Sequence, residues 1–139
     1  MIGVIFGEKG TGKTKHLLEL ANKSAKEAKG SLVFIDSDNS YMYDLSNKIR
    51  FVNATEYGIT MPKMLYGFVC GMAAMDFDLE YIYIDGLIGI VHKELDTLEL
   101  HFQDIKKLAE ERGINIIIAV NGNEKTIPAF LLDYVMHTT

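Results

Sequence analysis

Cysteine occurs once in the chain, as Cys70, which excludes an internal disulfide and any zinc site built from several thiolates. That usage suits a reducing compartment. Positive charge is also scarce: 14 Lys and Arg stand against 19 Asp and Glu, for a net charge of -5, and Arg50 and Arg112 are the only arginines. This balance has the wrong sign for a broad basic face that would hold DNA. No apolar run approaches the roughly 20 residues that a membrane span needs. The start, MIGVIFGEKG, lacks the basic residues, long apolar stretch and small-residue cleavage site of a secretory signal. The expectation is a cytoplasmic protein outside the membrane. There is no repeat, low-complexity tract or Pro/Ser-rich linker, so the 139 residues, 48% of them hydrophobic, read as one domain with one core.

What is present alternates between two periodicities. Residues 2–6 form a short apolar, β-branched run that stops at Gly7, the pattern of a strand buried on both faces. From Lys13, the residues Leu17, Ala21, Ala25 and Ala28 recur at helical spacing, and Gly30 stands where such a helix would end. Residues 32–35 predict a second strand that runs into Asp36, Ser37, Asp38, Asn39 and Ser40, side chains that bond turn backbone. A short helix is expected around residues 43–48 and a brief strand over 50–53. Met64, Leu65, Phe68, Val69, Met72 and Ala73 predict a buried helix, with Thr60 as its cap and Pro62 in its first turn.

Residues 81–84 are β-rich and close on Asp85. Leu95, Leu98, Phe102, Ile105, Leu108 and Ala109 then make a helical face before Gly113. Residues 115–120 predict another buried strand, and residues 127–135 a helical turn with a last strand. Strands separated by helices imply an α/β protein, a three-layer α/β/α sandwich around a mainly parallel sheet of five or six strands. In such a sheet ligands gather at the carboxyl ends of the strands.

The residues Gly7, Glu8, Lys9, Gly10, Thr11, Gly12, Lys13 and Thr14 satisfy G-x-x-x-x-G-K-[ST], and they lie between a predicted strand and a predicted helix, as that phosphate-binding pattern requires. The glycines let the loop curl so that backbone N–H groups face a phosphate, and the helix start adds positive partial charge. Lys13 would reach the β- and γ-phosphates as a point charge. The Thr14 hydroxyl would ligate Mg²⁺, a hard cation that prefers oxygen. The expected ligand is therefore a nucleoside triphosphate, taken as ATP with Mg²⁺, although the loop does not choose between ATP and GTP.

Asp85 should emerge at the carboxyl edge of its strand and face the same crevice, where it would hold Mg²⁺ together with Thr14. Asp36 and Asp38 leave the neighbouring strand end, and either could polarise an attacking water. Asn121 ends the strand over 115–120, where its amide could sense the γ-phosphate or orient water. Tyr41 and Tyr43 could stack on a base or simply pack.

The segments GEKGTGKT, VFIDSD, YIYIDG and IIIAVNG, in that order, resemble the RecA-like branch of P-loop ATPases across essentially the whole chain. The resemblance implies a P-loop NTPase fold in which the strand over 115–120 lies between the strands over 2–6 and 81–84. It also implies Walker A and Walker B roles for the glycine loop and Asp85. The family's catalytic glutamate follows its second strand in a segment FIDxE, and Asp38 occupies that place here, one methylene shorter. Asp38 is therefore favoured over Asp36 as the catalytic acid, with water activation expected to be weak. The long DNA-binding loop of family recombinases is missing, since only residues 122–127 separate Asn121 from Pro128. The family commonly completes its site with an Arg or Lys of a neighbouring subunit, for which Arg50, Arg112 and Lys125 are the candidates. A homo-oligomer or a protein partner is thus in view.

The remaining residues have plainer readings. Met61, Met64, Met72 and Met75 fit core filling better than an adaptable partner surface. His16, His92, His101 and His137 are expected at the surface or at caps, and Cys70 is expected to be inert. Three functions fit this pattern. The first is a small ATPase coupling Mg-ATP binding and slow hydrolysis to a partner. The second is a nucleotide-binding regulatory module without turnover, and the third a small-molecule or nucleoside kinase. The last would need an acceptor pocket and an arginine-rich lid, and no such lid appears in residues 86–112.

Overall fold

The computed structural model describes residues 1–123 and 125–139. Among these residues the elements follow in the order β1 (Ile2–Gly7), α1 (Lys13–Glu27), β2 (Ser31–Asp36), β3 (Ile49–Asn53), α2 (Pro62–Met75), β4 (Leu79–Ile84), α3 (Leu87–Val91), α4 (Glu99–Arg112), β5 (Asn115–Asn121) and β6 (Val135–Thr138). The strands form one sheet in the order β3-β2-β4-β5-β1-β6, and every neighbouring pair is parallel. β5 thus lies between β1 and β4, the place that the resemblance implies for it.

Successive strand residues point to opposite faces, and the core divides accordingly. Ile5, Phe34, Tyr83, Ile117 and Ala119 pack with Leu17, Ala21 and Ala25 of α1. Their neighbours along the same strands, including Val4, Ile35, Ile84 and Ile118, pack beneath α2, α3 and α4. Helices therefore flank both faces of the sheet, which explains why the inner strands read as unbroken apolar runs rather than as alternations. Among the described residues no helix is long and apolar enough to cross a membrane.

Several local expectations are corrected. Instead of a helix around residues 43–48 there is only a 3-10 turn, Met42–Asp44. The chain there is tied to α1, because the Ser46 N–H donates to Asn22 Oδ1 and the Asn22 amide donates to the Asp44 carbonyl. Thr60 does not cap α2: Met61 holds the cap position without a side-chain bond, while the Thr60 hydroxyl points to Met64 Sδ. Gly30 does not end α1, which stops at Glu27. It is required further on, where a Cβ would overlap the Asp78 carbonyl oxygen, itself the acceptor for the Ser31 N–H.

His101 is buried rather than superficial, and its Nε2 has no hydrogen-bond partner. Met61, Met64 and Met75 are exposed rather than core-filling. The short helix α3 had no counterpart in the periodicity.

Candidate functional site

The parallel register brings the carboxyl ends of four strands together. Gly7 of β1 is paired with Asn121 of β5, Ile84 of β4 with Ile118 of β5, and Ile35 of β2 with Ile84. The Asp85 N–H continues the ladder by donating to the Ile35 carbonyl. Asp36, Asp85, Asn121 and the glycine loop therefore open on one crevice because of strand pairing alone.

Between β1 and α1 the loop turns on Gly10 (φ 83°) and Gly12 (φ 93°), a left-handed conformation that a residue with a Cβ rarely adopts. The Thr11 N–H and hydroxyl both donate to the Glu8 carbonyl, which tightens the curl. Gly7 has no room for a side chain, since a Cβ would meet the Thr139 and Thr11 hydroxyls. α1 starts at Lys13 with no side-chain cap and no acid in its first turn. Its leading N–H groups, with the positive end of the helix dipole, are thus left for an external acceptor.

Lys13 is buried along this loop, with its ammonium donating to the Glu8 carbonyl at 3.2 Å. Burial lowers its pKa from the usual lysine value, while the nearby Asp85 carboxylate opposes that shift. Beside it the Thr14 hydroxyl donates to Asp85 Oδ2 at 2.7 Å, and the second Asp85 oxygen accepts the Gly86 N–H. Residues 71 positions apart in the sequence are thereby joined at one point.

The two candidate acids after β2 differ sharply. Asp36 is buried and accepts the Ser37 N–H at 2.6 Å. Burial, reinforced by the charges of Asp85 and Asp38, pushes its pKa up to about 6 against the bonding from Ser37. Asp38 is exposed, and its carboxylate accepts the Ser40 N–H, which holds its pKa below the usual carboxylate value.

Gly10, Gly12, Lys13, Thr14 and Asp85 line a cavity of about 800 Å³, whereas Gly7, Glu8 and Thr11 line a smaller one. Lys9, Asp36, Asp38 and Asn121 also border the larger one. The sequence did not point to its apolar lining from Leu18 and Ile88, nor to the groove along α1 that reaches Asn22 and Asp44. The nine helical steps from Lys13 to Asn22 carry that groove about 13 Å along the helix. The turn at Gly86 (φ 65°), directly after Asp85, was the one signal that could have announced α3 and Ile88.

Tyr41 lines the cavity, whereas Tyr43 is almost fully exposed and lies outside its lining. Arg50 borders a separate cavity with Lys29 and Ser31, at the amino end of β2. Lys125 instead lines a smaller cavity beside Glu8 and Thr11, next to the loop. In comparisons with known proteins, no protein-family model matches the chain and no curated protein matches it.

Proposed function

We propose that the chain is a RecA-like P-loop ATPase domain that binds a nucleoside triphosphate with Mg²⁺ and hydrolyses it slowly. The observation that carries this reading is the Thr14–Asp85 hydrogen bond at the foot of the glycine loop. A hydroxyl and a carboxylate brought together beside an uncapped helix start form the oxygen pair that a hard divalent ion needs next to a triphosphate. Among the described residues no three His, Cys, Asp or Glu side chains converge on a metal position. Magnesium suits such a site, because it takes only one or two protein ligands and fills its octahedron with water and phosphate oxygens. The position of β5 between β1 and β4 supports the RecA-like branch.

In this account backbone N–H groups of residues 10–14 hold the phosphates, and Lys13 exchanges the Glu8 carbonyl for a phosphate oxygen. Thr14 and Asp85 would hold the metal. Bound there, Mg²⁺ would neutralise charge on the terminal phosphates. Asp38, ionised at the cavity wall, orients the attacking water, and Asn121 hydrogen-bonds it or the terminal phosphate. The bond from Ser40 occupies part of the Asp38 carboxylate, and this favours a second reading in which turnover is negligible and the nucleotide acts as a regulatory ligand.

Isothermal titration with ATP and GTP, with and without Mg²⁺, run beside single-turnover phosphate release, tests both. Saturable Mg²⁺-dependent binding that Lys13→Ala weakens supports the site. Phosphate release that Asp38→Ala slows selects the ATPase, and no release selects the regulatory module. Unchanged affinity in Lys13→Ala would refute both readings.

A further inference from the structure

Polar atoms that folding hides from water ordinarily find hydrogen-bond partners inside the chain. Among the described residues one buried side-chain atom has none, Nε2 of His101. This residue stands in the first turn of α4 and is only 7% exposed. Burial lowers its pKa, so the ring is neutral at pH 7. An unpaired polar group in such a place costs free energy, which a ligand that supplies the missing bond would recover.

His101 also lines a cavity of about 360 Å³ between the first turns of α2 and α4. No residue of this wall is shared with the cavity at the glycine loop. An imidazole carries one nitrogen on each long edge, so whichever edge borders the cavity brings a nitrogen to it, and half a turn about χ2 exchanges the two. The rest of the wall is largely hydrocarbon, from Pro62, Tyr66, Leu98 and Leu100. Leu100 is 74% exposed, an apolar side chain left uncovered by the chain itself. Charge selects neither an anion nor a cation: Lys63 and Lys93 border the cavity with Asp104, and Glu94, Asp96 and Glu99 adjoin its wall along the chain. Both signs around the opening favour a neutral occupant. The volume lies near the lower end of the roughly 300–1,000 Å³ usual for small-molecule sites, which suits a compound with one ring.

We propose that this cavity binds a small neutral aromatic alcohol, its ring among Tyr66, Leu98 and Leu100 and its hydroxyl on the His101 imidazole. A hydroxyl both donates and accepts, so it meets the neutral imidazole in either tautomer. A hydrocarbon of the same shape would leave the nitrogen unpaired, and a carboxylate would lose its water beside Asp104. The site is independent of the nucleotide reading.

Phenol and benzene, titrated separately into the native chain and followed by NMR of the amides and of the imidazole nitrogens, test it. Phenol is expected to bind saturably, to shift Tyr66, Leu98 and Leu100, and to bind about two- to tenfold more tightly than benzene. The shift of the His101 ring nitrogens should be far larger with phenol than with benzene, a readout that needs no variant. His101→Leu keeps the bulk of the side chain without its nitrogens and should lose the preference for phenol. A native chain without saturable phenol shifts at this cavity overturns the proposal. So does equal affinity for benzene and phenol, or a preference for phenol that survives in His101→Leu.

Discussion

Replacing Asp36 with asparagine should make the protein more stable at neutral pH and no more stable in acid. Asp36 is 5% exposed at the end of β2, and its carboxyl titrates at about 6 because burial disfavours its charge. In the unfolded chain the same group ionises near 3.8. Between those values the unfolded chain releases its proton while the folded chain keeps it. The contribution of Asp36 is therefore fully present below the unfolded value and is lost as pH rises through 6. At about 1.4 kcal/mol per pH unit, the loss amounts to at most about 3 kcal/mol above pH 6. Asparagine keeps the shape and an acceptor for the Ser37 N–H but carries no charge to desolvate. Asp36→Asn should therefore gain up to about 3 kcal/mol at pH 7.5, or roughly 10 °C in melting temperature. The gain should vanish near pH 4. Urea unfolding at both pH values, with nucleotide omitted, measures it. A variant that is destabilised at pH 7.5, or whose gain is the same at both pH values, would refute the reasoning.

Thr14→Ala and Asp85→Asn should each reduce the ratio of nucleotide affinities with and without Mg²⁺, while Mg²⁺-free affinity changes little; calorimetry in EDTA and in excess Mg²⁺ reads this directly. His101→Leu removes a buried nitrogen without a partner and should raise stability by about 1 kcal/mol. Burial lowers the His101 pKa. The unfolded chain therefore takes up a proton below about pH 6.5 that the folded chain resists, and the leucine variant should show its larger gain at pH 5.5 than at pH 8. Gly30→Ala forces a methyl onto the Asp78 carbonyl oxygen and should cost about 1–3 kcal/mol in chemical denaturation. No loss there would show that the chain between α1 and β2 shifts freely.

The sheet and much of the cavity wall were legible because each rests on a strong local signal. Apolar runs flanked by turn residues located the strands, and the spacing of Gly7, Gly12, Lys13 and Thr14 between strand and helix located the loop. Asp85 was legible because a carboxylate after an unbroken apolar strand must emerge at its end. The unequal characters of Asp36 and Asp38 were not legible, since burial depends on how β2, β4 and the Gly86 turn approach one another. His101 was misjudged for a similar reason: its position on α4 is fixed by packing rather than by its own polarity. Met64 and Met75 of α2, unlike Met72, were misread as core because a stripe of apolar residues gives the side of the helix that is buried only when the other side is charged. On α2 it is not, and so the buried side was ambiguous until the packing was known. The helix expected near residue 43 gave way to the bonds through Asn22, a contact between distant segments that no short window contains.

The central claim is that the amides opening α1 grip a polyphosphate. Amide-resolved NMR of the native chain, titrated with a slowly hydrolysed ATP analogue and Mg²⁺, tests it most directly. The account predicts the largest shifts at the N–H groups of residues 10–14 and of Gly86 beside Asp85, with the shifts reduced in Lys13→Ala. Shifts absent from the loop at saturating nucleotide, or concentrated at a surface remote from it, would contradict the account.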